Sequence, residues 1–238
     1  MTTFVLIPGA WIGAWAWQDV AADLRARGHL VYPLSLTGLA ERVHLGRPDT
    51  NLDTHLDDVV KLLEFEDLRD IVLVGHSYAG CVITGVADRA PDRLAALVYC
   101  DTGPLANGQA ALDQLPPEGQ AAWRKIVQER GDGWRLPFPG IEGLRQDSSL
   151  TGLDDAMLAR LEAKAVGHPF GTWTQPLQLR QSGDPPYERA VIACEEGQQY
   201  LPFLEKVLPG ALVRKLDTGH WPMLSQPREL AALLDGIR

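Results

Sequence analysis

Two side chains in this sequence could make and break a covalent bond together: Ser77 in "VGHSYAG" and His220 in "DTGHWPM". A serine hydroxyl is a weak nucleophile until a base removes its proton, and an imidazole is the usual base. Gly75 stands two before the serine, Ala79 two after and Gly80 three after. Small residues at that spacing suit a tight strand-to-helix turn that lifts a nucleophile into the open. The more familiar spacing has glycine where Ala79 stands. The helix that follows aims its first amides at the same spot, so the Tyr78 N–H is a candidate oxyanion donor.

The third member of such a set is a carboxylate that orients the imidazole. It would ordinarily follow the strand "RAVIACE", but the count there falls on Gly197, just after Glu195 and Glu196. Asp101 ends the strand "LAALVYCD", next to the serine's own strand. We favour Asp101, with Glu196 or Glu195 as the alternative. Of the six histidines, His76 should point away from the pocket, and His29 and His55 read as structural or solvated. His44 falls in a loop and His168 in the middle segment.

These residues need a scaffold that brings strand ends together. "FVLIPG", "HLVYPLSL", "DIVLVG", "RLAALVYCD", "RAVIACE" and "ALVRKLD" are short apolar runs that predict six strands. Helical patterns alternate with them. In one, Leu56, Val59, Val60 and Leu63 form a single face, with Asn51 or Asp53 able to cap its start. Continuous apolar strands alternating with helices predict an α/β fold: a doubly wound parallel sheet covered on both faces. Ligands then gather at the carboxyl edge of the sheet. From about 102 to 186 the alternation breaks, with helical patterns near 118–130 and 154–166. That stretch is too long for a connection and reads as an inserted helical cap on one domain spanning 1–238.

Composition narrows the function class. The chain has 238 residues, 45% hydrophobic and 22% charged, with a net charge of -9 spread along its length. No basic stripe is available for nucleic acid, and no apolar run reaches membrane-spanning length. The start lacks a basic leader, and Cys81, Cys100 and Cys194 are odd in number, without metal-ligand spacing. The expectation is a cytoplasmic protein without metal or organic cofactor, acting on a small molecule. A homodimer is allowed by the sequence.

The segments "FVLIPGAWIGAWAW", "LTGLAERVHL", "VGHSYAG", "LVYCD" and "DTGHWPML" together resemble the α/β-hydrolase superfamily. Within it the chain looks like the group of plant methyl esterases and hydroxynitrile lyases with their bacterial relatives. That resemblance implies a second oxyanion amide at Ala10, although Pro8 stands where relatives commonly carry histidine. It also supplies a precedent for Asp101, because haloalkane dehalogenases place their acid after the corresponding strand. The lyases of the group use a lysine just after the catalytic histidine. Here Trp221, Pro222 and Met223 follow, so lyase chemistry ranks below hydrolysis, as does an inactive binding protein. The expected activity is serine-dependent hydrolysis of a small, largely apolar carboxylic ester through an acyl-enzyme. Trp173 and Trp221 are expected at the substrate, with Trp123, Trp134, Phe138 and Phe170 shaping the cap; Trp11, Trp15 and Trp17 are expected to pack.

Overall fold

The computed structural model describes residues 1–180 and 185–237. Its centre is a six-stranded parallel sheet. The strands are β1 (Thr3–Ile7), β2 (Leu30–Pro33), β3 (Ile71–His76), β4 (Leu94–Cys100), β7 (Glu188–Ala193) and β8 (Leu212–Lys215), in the order β2-β1-β3-β4-β7-β8. Two further strands, β5 (Arg135–Leu136) and β6 (His168–Pro169), pair antiparallel in the long segment between β4 and β7.

The apolar runs become strands because both faces of the sheet are covered. Every residue of β3 is buried, as its unbroken Ile-Val-Leu-Val pattern requires. One face packs on α2 (Leu52–Phe65), α3 (Ala79–Arg89) and α8 (Leu201–Val207). The other packs on α1 (Gln18–Ala26) and α10 (Pro227–Asp235). Asn51 caps α2 in a reciprocal box: its side chain accepts from Thr54 N–H, and Thr54 Oγ1 accepts from Asn51 N–H. The buried stripe of that helix is Leu52, His55, Leu56, Val59 and Leu63. Truncating a fully buried leucine such as Leu56 to alanine costs about 2–5 kcal/mol in comparable cores.

The segment after β4 carries α4 (Pro117–Arg130), α5 (Gly140–Asp147), α6 (Asp155–Lys164) and a single turn, α7 (Gly171–Thr174). The helices near 118–130 and 154–166 match the sequence expectation. The β5–β6 pair, α5 and α7 have no counterpart in it. Residues 181–184 of the expected insertion lie outside the described residues. The last short helix of the fold, α9 (Pro222–Ser225), follows His220 directly.

Sheet register sets up the site. His76 and Cys100 are lateral partners at the ends of β3 and β4. The residues that follow them, Ser77 and Asp101, therefore leave the same sheet edge side by side. Both take left-handed backbone, with φ of 52° and 49°. For non-glycine residues this conformation costs about 1–2 kcal/mol each, and such strain gathers where a turn must aim a side chain. Gly75 makes the turn feasible: a Cβ there would lie 2.7 Å from Ile83 of α3 and 2.9 Å from the Ala79 carbonyl. Ala79 itself is fully buried, so a methyl group is accommodated at that position.

Candidate active site

The structure brings Ser77, His220 and Asp101 into one chain of hydrogen bonds. His220 Nε2 lies 2.9 Å from Ser77 Oγ, and His220 Nδ1 lies 2.6 Å from Asp101 Oδ2. A carboxylate can only accept, so the Nδ1–H donates to Asp101 and Nε2 is left to accept the serine proton. The second carboxylate oxygen accepts from the Cys194 N–H at 2.8 Å. Burial alone would raise the Asp101 carboxyl, but the His220 hydrogen bond and charge, with the Cys194 amide, hold it below its ordinary value. It stays ionised and ready to stabilise an imidazolium.

The gap at Gly197 has a physical reason. A Cβ at that position would collide with Asp101 Oδ1. The carboxylate from β4 occupies the space that a side chain from the β7 turn would need. Glu195 is exposed and accepts from Ser149 Oγ at 3.1 Å instead.

His220 is held by its neighbours as well as by Asp101. His76 Nε2–H donates to the His220 carbonyl at 2.6 Å. From the long segment, the Ser149 carbonyl accepts His220 N–H at 2.9 Å and the Thr151 carbonyl accepts Gly219 N–H at 3.0 Å. His76 is fully buried, and burial, helped by the nearby His220, pushes its pKa down to about 3. It is a neutral brace.

The other flank of Ser77 holds the two amides singled out as oxyanion donors. Ala10 and Tyr78 are both buried, and among the described residues neither amide N–H has a protein acceptor. The Tyr78 hydroxyl donates to His55 Nδ1 at 2.9 Å, while His55 Nε2–H donates to the Thr37 carbonyl at 2.8 Å. Burial pushes His55 down to about 4. Its place on the apolar stripe of α2, three residues after Leu52 and four before Val59, was the signal that it would be buried rather than solvated. His168 is also fully buried and held well below its usual range by burial. His29, by contrast, bonds Asp235 at 2.8 Å, and His44 is exposed on a short 3-10 helix, Ala40–Leu45.

A cavity of about 220 Å³ opens beside Ser77. Tyr78, Cys81 and Thr102 form its floor, and Ala111, Gln114 and Trp173 reach it from the long segment. Trp173, expected at the substrate, lines the cavity. Trp221, expected beside the substrate, lies elsewhere: it is 3% exposed, packed in the core on the α1/α10 side with its ring 5.7 Å from that of His220, and is not part of the cavity wall. Its position just after His220 carried it beneath the imidazole. Among the described residues no cluster of His, Cys, Asp or Glu could hold a metal ion.

The fold has counterparts in known proteins. Residues 4–233 match the model of the alpha/beta hydrolase family. The chain belongs to that family. It is 33% identical over 249 residues to a carbendazim hydrolyzing esterase from Nocardioides sp. (strain SG-4G), covering all of both chains. It is 29% identical over 248 residues to methylesterase 7 of Arabidopsis thaliana, covering 97% of this chain and 94% of the relative. Among solved structures, an extracellular alpha/beta-hydrolase from a Paenibacillus species superposes over both full chains with a TM-score of 0.85 and 25% identity. That protein is described as sharing structural and functional homology with tobacco salicylic acid binding protein 2.

Proposed function

We propose that this protein is a serine esterase that cleaves a small, largely apolar carboxylic ester through an acyl-enzyme. The carrying observation is the 2.9 Å contact between His220 Nε2 and Ser77 Oγ on a left-handed strand-to-helix turn. Ester hydrolysis is also what the names of its full-length relatives describe, a carbendazim hydrolyzing esterase and methylesterases. Ser77 Oγ attacks the ester carbonyl carbon as its proton passes to His220 Nε2. The amides of Ala10 and Tyr78 receive the oxyanion, each worth about 3 kcal/mol in comparable enzymes. The C–O bond to the alcohol breaks, and the alcohol leaves with the proton from His220. A water then gives its proton to His220 and attacks the acyl carbon, releasing the acid and restoring the serine.

The cavity volume of about 220 Å³ supports a small substrate, and Trp173 supplies a flat apolar wall for its acyl part. The methylesterase relatives support a short alkoxy group on the leaving side. A cytoplasmic location is part of the same proposal; the three unpaired, buried thiols support it. No helix among the described residues is long and apolar enough to cross a membrane.

The test is turnover of p-nitrophenyl acetate and butyrate and of aromatic methyl esters, wild type against Ser77→Ala. The expected result is hydrolysis by the wild type and a loss of about 10⁴-fold or more in the variant. Absence of turnover across the panel by folded wild-type protein, or full activity in the variant, overturns the reading.

A further inference from the structure

The loop after β1 that carries Ala10 is not held by the sheet alone. Trp11 adopts left-handed backbone, φ 63°, and three hydrogen bonds fasten it to the inserted segment. Trp11 N–H donates to His168 Nδ1 at 3.3 Å, and Trp11 Nε1–H donates to the Leu136 carbonyl at 3.2 Å. The Trp11 carbonyl accepts from Val166 N–H at 3.0 Å. Leu136 and His168 are themselves register partners in the β5–β6 pair. That two-stranded sheet therefore grips the loop from one side.

His168 meets the second donor segment as well. Its ring lies 4.5 Å, centroid to centroid, from the ring of Tyr78, edge to face, and 5.7 Å from that of His55, which accepts the Tyr78 hydroxyl proton. Its protonation state follows from its partners. A backbone N–H can only donate, so Nδ1 carries no proton, and Nε2–H donates to Thr172 Oγ1 at 3.0 Å. The Thr172 hydroxyl donates in turn to the Pro169 carbonyl at 2.8 Å. Every polar atom of the ring is used, and none of these bonds reaches Ser77 or His220.

We propose that His168 is a positioning residue for the oxyanion site: from the insertion it fixes the Ala10–Trp11 peptide by hydrogen bond and the Tyr78 ring by contact. This rests on the reading of Ser77 as the nucleophile. The insertion then has two tasks. It walls the cavity with Trp173, and it braces the donors on which the tetrahedral intermediate depends. Pro8, just before Gly9, brings no side-chain hydrogen bond to the loop. The buried imidazole that holds the loop comes from β6 instead.

The experiment compares His168→Phe, His168→Asn and Trp11→Phe with wild type. Hydrolysis of p-nitrophenyl butyrate is measured together with affinity for an alkyl trifluoromethyl ketone, which forms a tetrahedral adduct on an active serine. Phenylalanine keeps the ring and loses the acceptor; asparagine places an amide oxygen close to where Nδ1 stands. The expected result for His168→Phe is kcat lower by about tenfold or more, KM within about twofold, and ketone affinity reduced in step with kcat. His168→Asn should recover most of the loss. Trp11→Phe, which removes only the Leu136 link, should lower kcat severalfold with KM unchanged. The proposal is overturned if His168→Phe retains wild-type kcat and ketone affinity, or if His168→Asn is as impaired as His168→Phe. Should His168→Phe fail to fold, His168→Leu carries the same test: wild-type kcat and ketone affinity overturn the proposal, and a fall confined to kcat with matching loss of ketone affinity supports it. Failure of wild type itself to hydrolyse any ester counts against the Ser77 reading instead, so the two failures are told apart.

Discussion

The two flanks of Ser77 are built in different ways. On the His220 side, the orienting carboxylate rises from the end of β4, its free oxygen is tied to the Cys194 amide, and His76 from β3 holds the His220 carbonyl. These are sheet-edge contacts set by strand register, with two carbonyls of the insertion added at Ser149 and Thr151. On the Ala10 side, buried imidazoles do the holding: His55 from α2 and His168 from β6. A register-fixed carboxylate can be moved only by altering its own turn or what packs on it. A buried neutral imidazole can be undone by a proton, because its acceptor nitrogen becomes a donor. His76, the imidazole of the first flank, holds the His220 carbonyl through its Nε2–H alone, so a proton on its Nδ1 leaves that bond in place, whereas acid removes the acceptor nitrogens of His55 and His168 on the second.

The largest expected effect sharpens the first half of that contrast. Asp101→Asn leaves the shape intact but removes the charge that fixes the His220 tautomer, and kcat should fall by about 10⁴-fold. Glu196→Gln should stay within about twofold of wild type, since nothing ties that carboxylate to the relay. Steady-state kinetics on a p-nitrophenyl ester decide between them, and the reverse pattern would return the acid to the β7 turn.

A smaller effect should follow from Gly197→Ala. The new methyl meets Asp101 Oδ1, so the carboxylate must shift away from the His220 ring. A displacement on the scale of 1 Å can cost about 100-fold in rate. We expect a kcat loss of about 10- to 100-fold, with far-UV circular dichroism unchanged.

The third prediction concerns acid. His55 is pushed down to about 4 and His76 to about 3, against an unfolded value of about 6.5. The native state thus binds fewer protons than the unfolded chain below that value. The stabilisation these groups give is complete above about pH 6.5 and is lost as pH falls toward their folded values, with a limiting slope of about 1.4 kcal/mol per pH unit for each. Urea unfolding between pH 7 and pH 4 should show this dependence, with the buried His168 adding to it, and His55→Phe should lessen it by one group's share. Asp101 acts lower still. Its carboxyl is held below the ordinary value, so its contribution is present above about pH 4 and disappears as pH falls through the depressed value.

The smallest effect separates the two tryptophans. Trp173→Ala should raise KM severalfold by opening the cavity wall, whereas Trp221→Phe should leave KM within about twofold, because Trp221 packs in the core away from the cavity.

The sheet could be read in the sequence because its strands are buried on both faces and show it as unbroken apolar runs. The tight turn at Ser77 could be read because crowding there restricts side-chain size, and the place of Asp101 beside it because a strand end has a definite neighbour. The β5–β6 pair could not, since two residues per strand carry no period. His168 could be placed only in the middle segment, because nothing local distinguishes a solvated imidazole from one that receives an amide from a residue 157 positions away. Trp221 was misplaced for a related reason: adjacency along the chain does not say which side of an imidazole a ring will take.

Placing the carboxylate after β4 has a consequence for the bend after β7. In the proposed mechanism the nucleophile Ser77, the acid Asp101 and the Tyr78 amide all lie between residues 77 and 101, on a single strand–helix–strand crossover, and only His220 and the Ala10 amide come from outside it. The bend after β7 then supplies no acid: it holds the second oxygen of Asp101 with the Cys194 amide and presents no side chain at position 197.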